Sequence, residues 1–358
     1  MRGRNRPLAV IAVWTLVGVA ALFSGCSDDN KTAAAPTVTG TEFTSANMQQ
    51  TAAVSASTVD MMYNIGAIFA GIAVQFQPQA TAPAGPSPLA PIPLGASGLC
   101  LGGATVDNVT WNDLDNSGTP TAGDTITVDL QNCKPDPLDP TFSLSGTPNP
   151  AIRYTLTNVS TAPPPFTFQG TLAINLTGTD SFGSTDIDGI MAAEASTVDF
   201  VTAGITLGAD NGTAANTQIT ISESGTQLAF GCFLVHLDFP DVNNPLNFSM
   251  WTRGITKMTV GSLSQIMQLG DYRDPFPKEH LDFALGVPDA GQLKLLSYDS
   301  RGSVPGLASC YGGPTTGATS QLVTALGGSA IRLDIFKNTT WTPPADNTVI
   351  TDWFSLLD

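Results

Sequence analysis

The stretch FTFQGTLAINL, residues 166–176, sets Phe166, Phe168, Gly170, Leu172, Ile174 and Leu176 at every second position. Between them stand Thr167, Gln169, Thr171, Ala173 and Asn175, polar or small. A period of two turns one side of a strand toward a core and the other toward solvent, which is the signature of an antiparallel sheet with one wet face. The pattern recurs on both sides. Ile126, Val128 and Leu130 alternate with Thr127 and Asp129, and Ile331, Leu333 and Ile335 with Arg332 and Asp334. The segment LAFGCFLVHLDF, residues 228–239, is apolar at most positions and is expected to be a central strand covered on both sides, with His236 a hydrogen-bonded core residue. Glycine, proline, asparagine and aspartate punctuate the intervals, and helical patterns do not alternate with the strands, which excludes a doubly wound fold.

One segment breaks the period. Met62, Ile65, Phe69, Ile72 and Phe76 recur at spacings of three and four, one face of a helix over residues 43–77. Gly66, Ala70 and Ala73 give it a smooth second side, and the run is apolar nearly all round, so burial on most sides follows. Pro78 is expected to end it. Residues 78–98 carry six prolines and read as an extended connector. The expected architecture is mostly β: a curved antiparallel sheet, a sandwich or a partly closed barrel, with this one long N-terminal apolar helix packed on it. Residues 99–358 form the β-body, and helix and body are expected to share one domain.

The N-terminus reads differently again. Arg2, Arg4 and Arg6 precede an apolar run from Leu8 to Phe23, followed by Ser24, Gly25 and Cys26. This is the layout of a secretory signal over residues 1–25, and the run is shorter than the ~20 residues a membrane-spanning helix needs. The ending Phe-Ser-Gly-Cys resembles the lipobox of bacterial lipoproteins, with Phe23 where that family has Leu, Val or Ile. The resemblance implies cleavage before Cys26 and acylation of its thiol and new amino group, palmitate included. Ser27, rather than aspartate, follows the cysteine, which in that family implies the outer membrane. Residues 26–42 are then a tether, polar and Ala/Thr-rich.

Loss of Arg2, Arg4 and Arg6 takes the formal charge from −16 to −19. Such a surface repels phosphates, and no basic cluster exists, so no nucleic-acid partner is expected. Charged residues are only 12% of the chain, and Thr, Ser, Gly and Asn fill the polar positions, as in exported β-proteins. After Cys26 four cysteines remain, allowing three pairings in an oxidising compartment. Cys100–Cys133 and Cys232–Cys310 are expected, because each closes a local region.

NDLDNSGTPTAGDTITV, residues 112–128, carries a metal-like spacing. Asp113, Asp115, Ser117, Gly118, Thr119 and Asp124 fall at positions 1, 3, 5, 6, 7 and 12 of a calcium loop, with Thr119 offering its carbonyl. Alternating short oxygen side chains let a chain wrap a hard cation. The other reading is a hairpin loop whose aspartates cap turns. Asp180, Asp186 and Asp188 form a weaker cluster of the same kind.

The stretch from Cys100 to Cys133, with its glycine-rich start, D-x-D-x-x-G loop, Gly-Asp opening a strand and closing Asn-Cys, is similar to a segment of uncharacterised β-rich lipoproteins of Gram-negative bacteria. The C-terminal runs PDAGQLKLL, GGSAIRLDIF and TVITDWFSLL are similar to the ending common in that group. The resemblance implies paired cysteines and an all-β body and supplies no activity.

Catalysis finds little support. No G-x-S-x-G occurs. Glu279 and His280 are an acid/base pair only in a loop, and Trp111, Trp251, Trp341 and Trp353 on strands default to the core rather than to a sugar platform. The expected function is a non-enzymatic, outer-membrane-anchored lipoprotein, structural or surface-binding, with a lipid, a glycan or an envelope protein as partner. The alternative is a carrier of an apolar ligand or lipid between sheet and helix. A glycan hydrolase is third.

Overall fold

A computed structural model describes residues 39–357, apart from 41, 81–91, 96, 98, 101, 135–140, 161–165, 181–182, 199–201, 209–217, 224, 242–245, 261–262, 271–279, 285–286, 298–318 and 339–340. The signal, Cys26, Glu279 and Cys310 therefore lie outside the described residues. The described chain is mostly β and its pairings are antiparallel, with one short parallel exception. It divides into two compact units. One holds Tyr63–Gly208 and His236–Pro245; the other holds the helix up to Met62, Ala209–Val235 and Leu246–Asp358.

In chain order the elements begin with β1 (Thr39–Gly40), α1 (Met48–Ala80), β2 (Ile92–Gly95), β3 (Val106–Asn112), β4 (Thr125–Gln131), β5 (Ser143–Gly146) and β6 (Ile152–Ser160). There follow β7 (Phe166–Thr179), β8 (Ser184–Val198), β9 (Thr202–Gly208), β10 (Gln218–Glu223), β11 (Thr226–Phe239) and β12 (Phe248–Val260). The last are β13 (Leu263–Leu269), β14 (Leu281–Ala284), β15 (Val287–Ser297), β16 (Ser320–Gly327), β17 (Ala330–Phe336), β18 (Asn347–Asp352) and a final turn of helix, α2 (Phe354–Leu357).

In the first unit β7 is the axis. It pairs with β8 over its whole length, from Phe166↔Thr197 to Thr179↔Ser184, and with β6 on its other edge. Its burial alternates strictly, as the period requires. Phe166, Phe168, Leu172, Ile174 and Leu176 are buried, and each stabilises the fold by about 1.5–3 kcal/mol relative to exposure. From Tyr63 onward α1 lies on this unit. A Cβ built on Gly66 meets Leu237 Cδ1 at 2.1 Å, so the glycine is what lets the helix come down onto β11. One turn on, the Phe69 ring meets Tyr154 edge-on with centroids 4.7 Å apart.

In the second unit antiparallel hairpins run from β12 to β18, with β1 parallel to β13. The helix up to Met62 meets this unit through buried polar groups. Thr51 Oγ1 donates to Gln321 Oε1 (2.6 Å), Gln321 Nε2 donates to the Met48 carbonyl (2.9 Å), and the Thr58 and Thr256 hydroxyls are 3.4 Å apart. A buried polar group left unbonded is costly, so these contacts favour one register of the helix.

Four expectations change in detail. The helix begins at Met48, not at residue 43, because Asn47 caps it. The Asn47 side chain accepts the Thr44 N–H and donates to the Glu42 carbonyl, folding residues 42–47 into a turn. Its carbonyl accepts the first helical N–H, from Thr51. Pro78 lies inside the last turn, since proline removes its own N–H and does not bar the two residues that follow. Within the connector, Ile92–Gly95 forms β2 and pairs with β3. Finally, β11 is covered on both sides only over Leu228–Phe233 and then alternates. His236 sits in the alternating part, its side chain 42% exposed, and is not a core residue.

Candidate metal centre

β3 and β4 form a hairpin in unbroken register, from Val106↔Gln131 to Asn112↔Thr125. The Cys100–Cys133 disulfide closes its base, with Cα atoms 4.9 Å apart, as expected. By loop length such a crosslink removes roughly 3.5–4 kcal/mol of unfolded-state entropy. Cys232 is also disulfide-bonded. Its expected partner, Cys310, lies outside the described residues. At the other end of the hairpin is the loop of residues 113–124.

The carboxylates of Asp113, Asp115 and Asp124 converge there, each offering an oxygen within 4.8 Å of the others. It is the one such acidic, His or Cys cluster among the described residues. The backbone holds all three. Asp113 accepts the Ser117 N–H on Oδ1 (3.1 Å) and the Gly118 N–H on Oδ2 (2.8 Å). Asp115 accepts the Ser117 N–H (3.0 Å) and the Thr121 hydroxyl (2.9 Å). Asp124 accepts Leu114 N–H on Oδ1 (2.9 Å), and on Oδ2 both Thr121 N–H (3.0 Å) and the Trp111 indole N–H (3.3 Å). Asn116 and Gly118 adopt positive φ, 55° and 73°, which turns the chain back on itself.

The three acids are not equivalent. Asp124 has no solvent exposure, and its backbone already belongs to the sheet, the carbonyl accepting Leu156 N–H at 2.9 Å. Asp115 is exposed. Hydrogen bonds from Ser117 and then Thr121 stabilise its charged form and lower its pKa to about 2. Ser117 and Thr119, the remaining expected ligands, are bonded to one another, Ser117 Oγ donating to the Thr119 carbonyl at 2.7 Å. The donor set is all oxygen, the chemistry calcium prefers. Oxygens bound to one calcium ion at 2.3–2.6 Å stand at most about 5.2 Å apart, and the three carboxylate oxygens here lie within 4.8 Å of one another. The Trp111 and Thr121 contacts to the aspartates are the part that spacing rules miss. The only sequence signal for them is an indole on the strand leading into the loop.

The other expected groups are placed apart from this loop. Asp180 accepts the Gly183 N–H in the β7–β8 turn, and Asp186 accepts the Thr177 hydroxyl. They stand as separate turn and strand residues. Trp111, Trp341 and Trp353 are buried and Trp251 is half-buried, so they belong to packing rather than to an open sugar platform. His280 pairs with Asp282 at 3.2 Å.

The chain matches no protein-family model, no curated protein and no solved structure. Among the described residues no helix is long and apolar enough to cross a membrane.

Proposed function

We propose that this chain is an envelope lipoprotein held at the outer membrane through an acylated Cys26, and that its β-body binds or scaffolds rather than catalyses. One observation carries the reading: an arginine-flanked apolar run ends in Phe-Ser-Gly directly before a cysteine, and a polar tether follows. Oxidised cysteines in the β-body support an exported location, since disulfides persist outside the reducing cytosol. The alternating burial of β4, β7 and β9 in the first unit fits the curved antiparallel sheet, sandwich or partly closed barrel expected from the period. The close seat of Gly66 on Leu237 leaves no room for a carried ligand between helix and β11 at that point.

Labelled palmitate is expected to enter the wild type in a Gram-negative host and not Cys26→Ser, because only the thiol takes the diacylglyceryl group. Equal labelling of both proteins would end the lipoprotein reading.

The same proposal assigns calcium to the loop of residues 113–124, with Asp113, Asp115 and Asp124 as its carboxylates. A cation bound only by the folded state stabilises it by about 1.4 kcal/mol at ten times its Kd. Millimolar calcium is therefore expected to raise Tm in the wild type and not in Asp115→Ala. A melting curve indifferent to calcium up to tens of millimolar would leave the loop as a turn held by its own N–H groups.

A further inference from the structure

Both histidines of the chain stand in the same tetrapeptide, HLDF, at 236–239 and at 280–283. In each the leucine and phenylalanine are buried, and the histidine meets the aspartate two residues on, at 3.1 Å and 3.2 Å. The surroundings of His236 go further. Its Nδ1 lies 2.9 Å from Thr206 Oγ1 on β9 and its Nε2 3.1 Å from Asp238 Oδ1, so both ring nitrogens are engaged. Glu194, on β8, is paired in register with Thr206 and is steadied by Gln169, whose amide donates to it at 2.8 Å. Asp238 thus holds one side of the imidazole, and Thr206, whose cross-strand neighbour is Glu194, holds the other. Gly204 keeps the space beneath open. A Cβ there would lie 3.0 Å from Ser196 Oγ, 3.6 Å from Asp238 Oδ1 and 3.7 Å from His236 Cε1.

We propose that His236 is a pH-sensitive clasp that fastens the end of β11, His236–Phe239, to β9 and β8 of the first unit. The Thr206 hydroxyl is the swivel. It donates to Nδ1 of the neutral ring and accepts from the charged one, so that bond survives either way while Nε2–H stays on Asp238. Protonation thus adds a charge to a ring already bonded to the Asp238 carboxylate. Among the described residues the charges that act on it are Asp238 on its own strand and Glu194 on β8; the β9 residues nearest it, Thr206 and Gly204, are neutral. The Asp238 hydrogen bond raises the histidine's pKa above the usual 6.5, partial burial opposes the rise, and the charges of Asp238 and Glu194 add to it.

The sign follows from linkage. A folded-state pKa above the unfolded one stabilises fully below about 6.5, and the gain is lost as pH rises through the raised value. His236 and Asp238 are 42% and 65% exposed, so solvent screens the pair. The opening equilibrium of this strand end is expected to shift by roughly two- to fivefold, in the range of exposed ion pairs.

The test is a histidine-selective NMR titration of the full chain, with His280→Gln used to assign the two signals. His236 is expected to titrate above 6.5. Asp238→Asn should lower that value and Glu194→Gln should lower it less. Amide exchange over residues 202–208 and 236–239, corrected for intrinsic rates, should slow from pH 8 to pH 6 in the wild type and not in His236→Gln. A titration at or below 6.5 in the wild type overturns the clasp, as does one unmoved by Asp238→Asn. Protection as pH-dependent in His236→Gln as in the wild type overturns it too.

Discussion

Asp124 is a carboxylate without solvent, and three donors serve its oxygens: the Leu114 and Thr121 N–H groups and the Trp111 indole. A buried charge lacking such bonds is strongly unfavourable. Asp124→Ala leaves those donors without their acceptor, at about 1–3 kcal/mol for each one that water does not reach. A loss of about 3 kcal/mol in urea unfolding is expected, and a loss below about 1 kcal/mol would mean that the loop rearranges around the gap. Asp115→Ala should cost far less at neutral pH, because the Asp115 side chain is exposed. Asp115 has a depressed folded-state pKa of about 2, so its contribution is present above its ordinary value of 3.8 and is lost as pH falls toward 2. The difference between wild type and Asp115→Ala should therefore shrink across that acid window and nowhere else. At this scale the spacing of acids in the sequence sufficed to bring Asp113, Asp115 and Asp124 together. The burial of Asp124 was not legible, because it depends on where β6 and the Trp111 ring lie.

Period two predicted β7 and also hid one of its features. Gly170 occupies an inward position of the alternation, where a core side chain is expected, and it exists to leave a gap. A Cβ there would meet the Thr155 carbonyl at 2.2 Å and the Tyr154 ring at 2.7 Å. The register between β6 and β7 shifts just beyond it, between Leu156 and Asn158. Gly170→Ala forces the β6 backbone away from β7 and disturbs the Tyr154 ring, which packs on Phe69 and donates to the Ala193 carbonyl at 3.2 Å. Overpacking against backbone costs about 1–3 kcal/mol, and the upper part of that range is expected, read as a lower urea midpoint with an unchanged m-value. A neutral substitution would show that the strands separate there at little cost. The helix gives the complementary lesson. Its apolar face was plain from Met62, Ile65, Phe69 and Ile72, all buried. Its polar anchors, Thr51 and Thr58, pair with Gln321 and Thr256 roughly two hundred positions or more away, and no local pattern announces a partner at that distance.

Over the whole molecule the acids outnumber the bases by 30 to 14, and the charged share is 12%. Arg332 holds Asp334 at 2.8 Å, and Lys337 stands 3.9 Å from Asp346. At Asp113, Asp124 and Asp186 neutral N–H and O–H groups hold the carboxylates, and these do not cancel charge at a distance. Self-repulsion then destabilises the compact state, and salt relieves it, since the Debye length falls from about 30 Å at 0.01 M to about 8 Å at 0.15 M. Tm is expected to rise by a few degrees between 10 and 150 mM NaCl, with about 2–4 °C for each kcal/mol recovered, the range for domains of 150–250 residues. The calcium experiment has to be read above this background. At matched ionic strength, calcium should exceed sodium in the wild type by the part that Asp115→Ala removes, while the sodium-dependent rise should be nearly the same in both proteins. If calcium and sodium act alike at matched ionic strength, the loop at the tip of the β3–β4 hairpin contributes charge and no site. If Tm does not respond to salt at all, the acids are spaced widely enough that the folded state pays nothing for its charge.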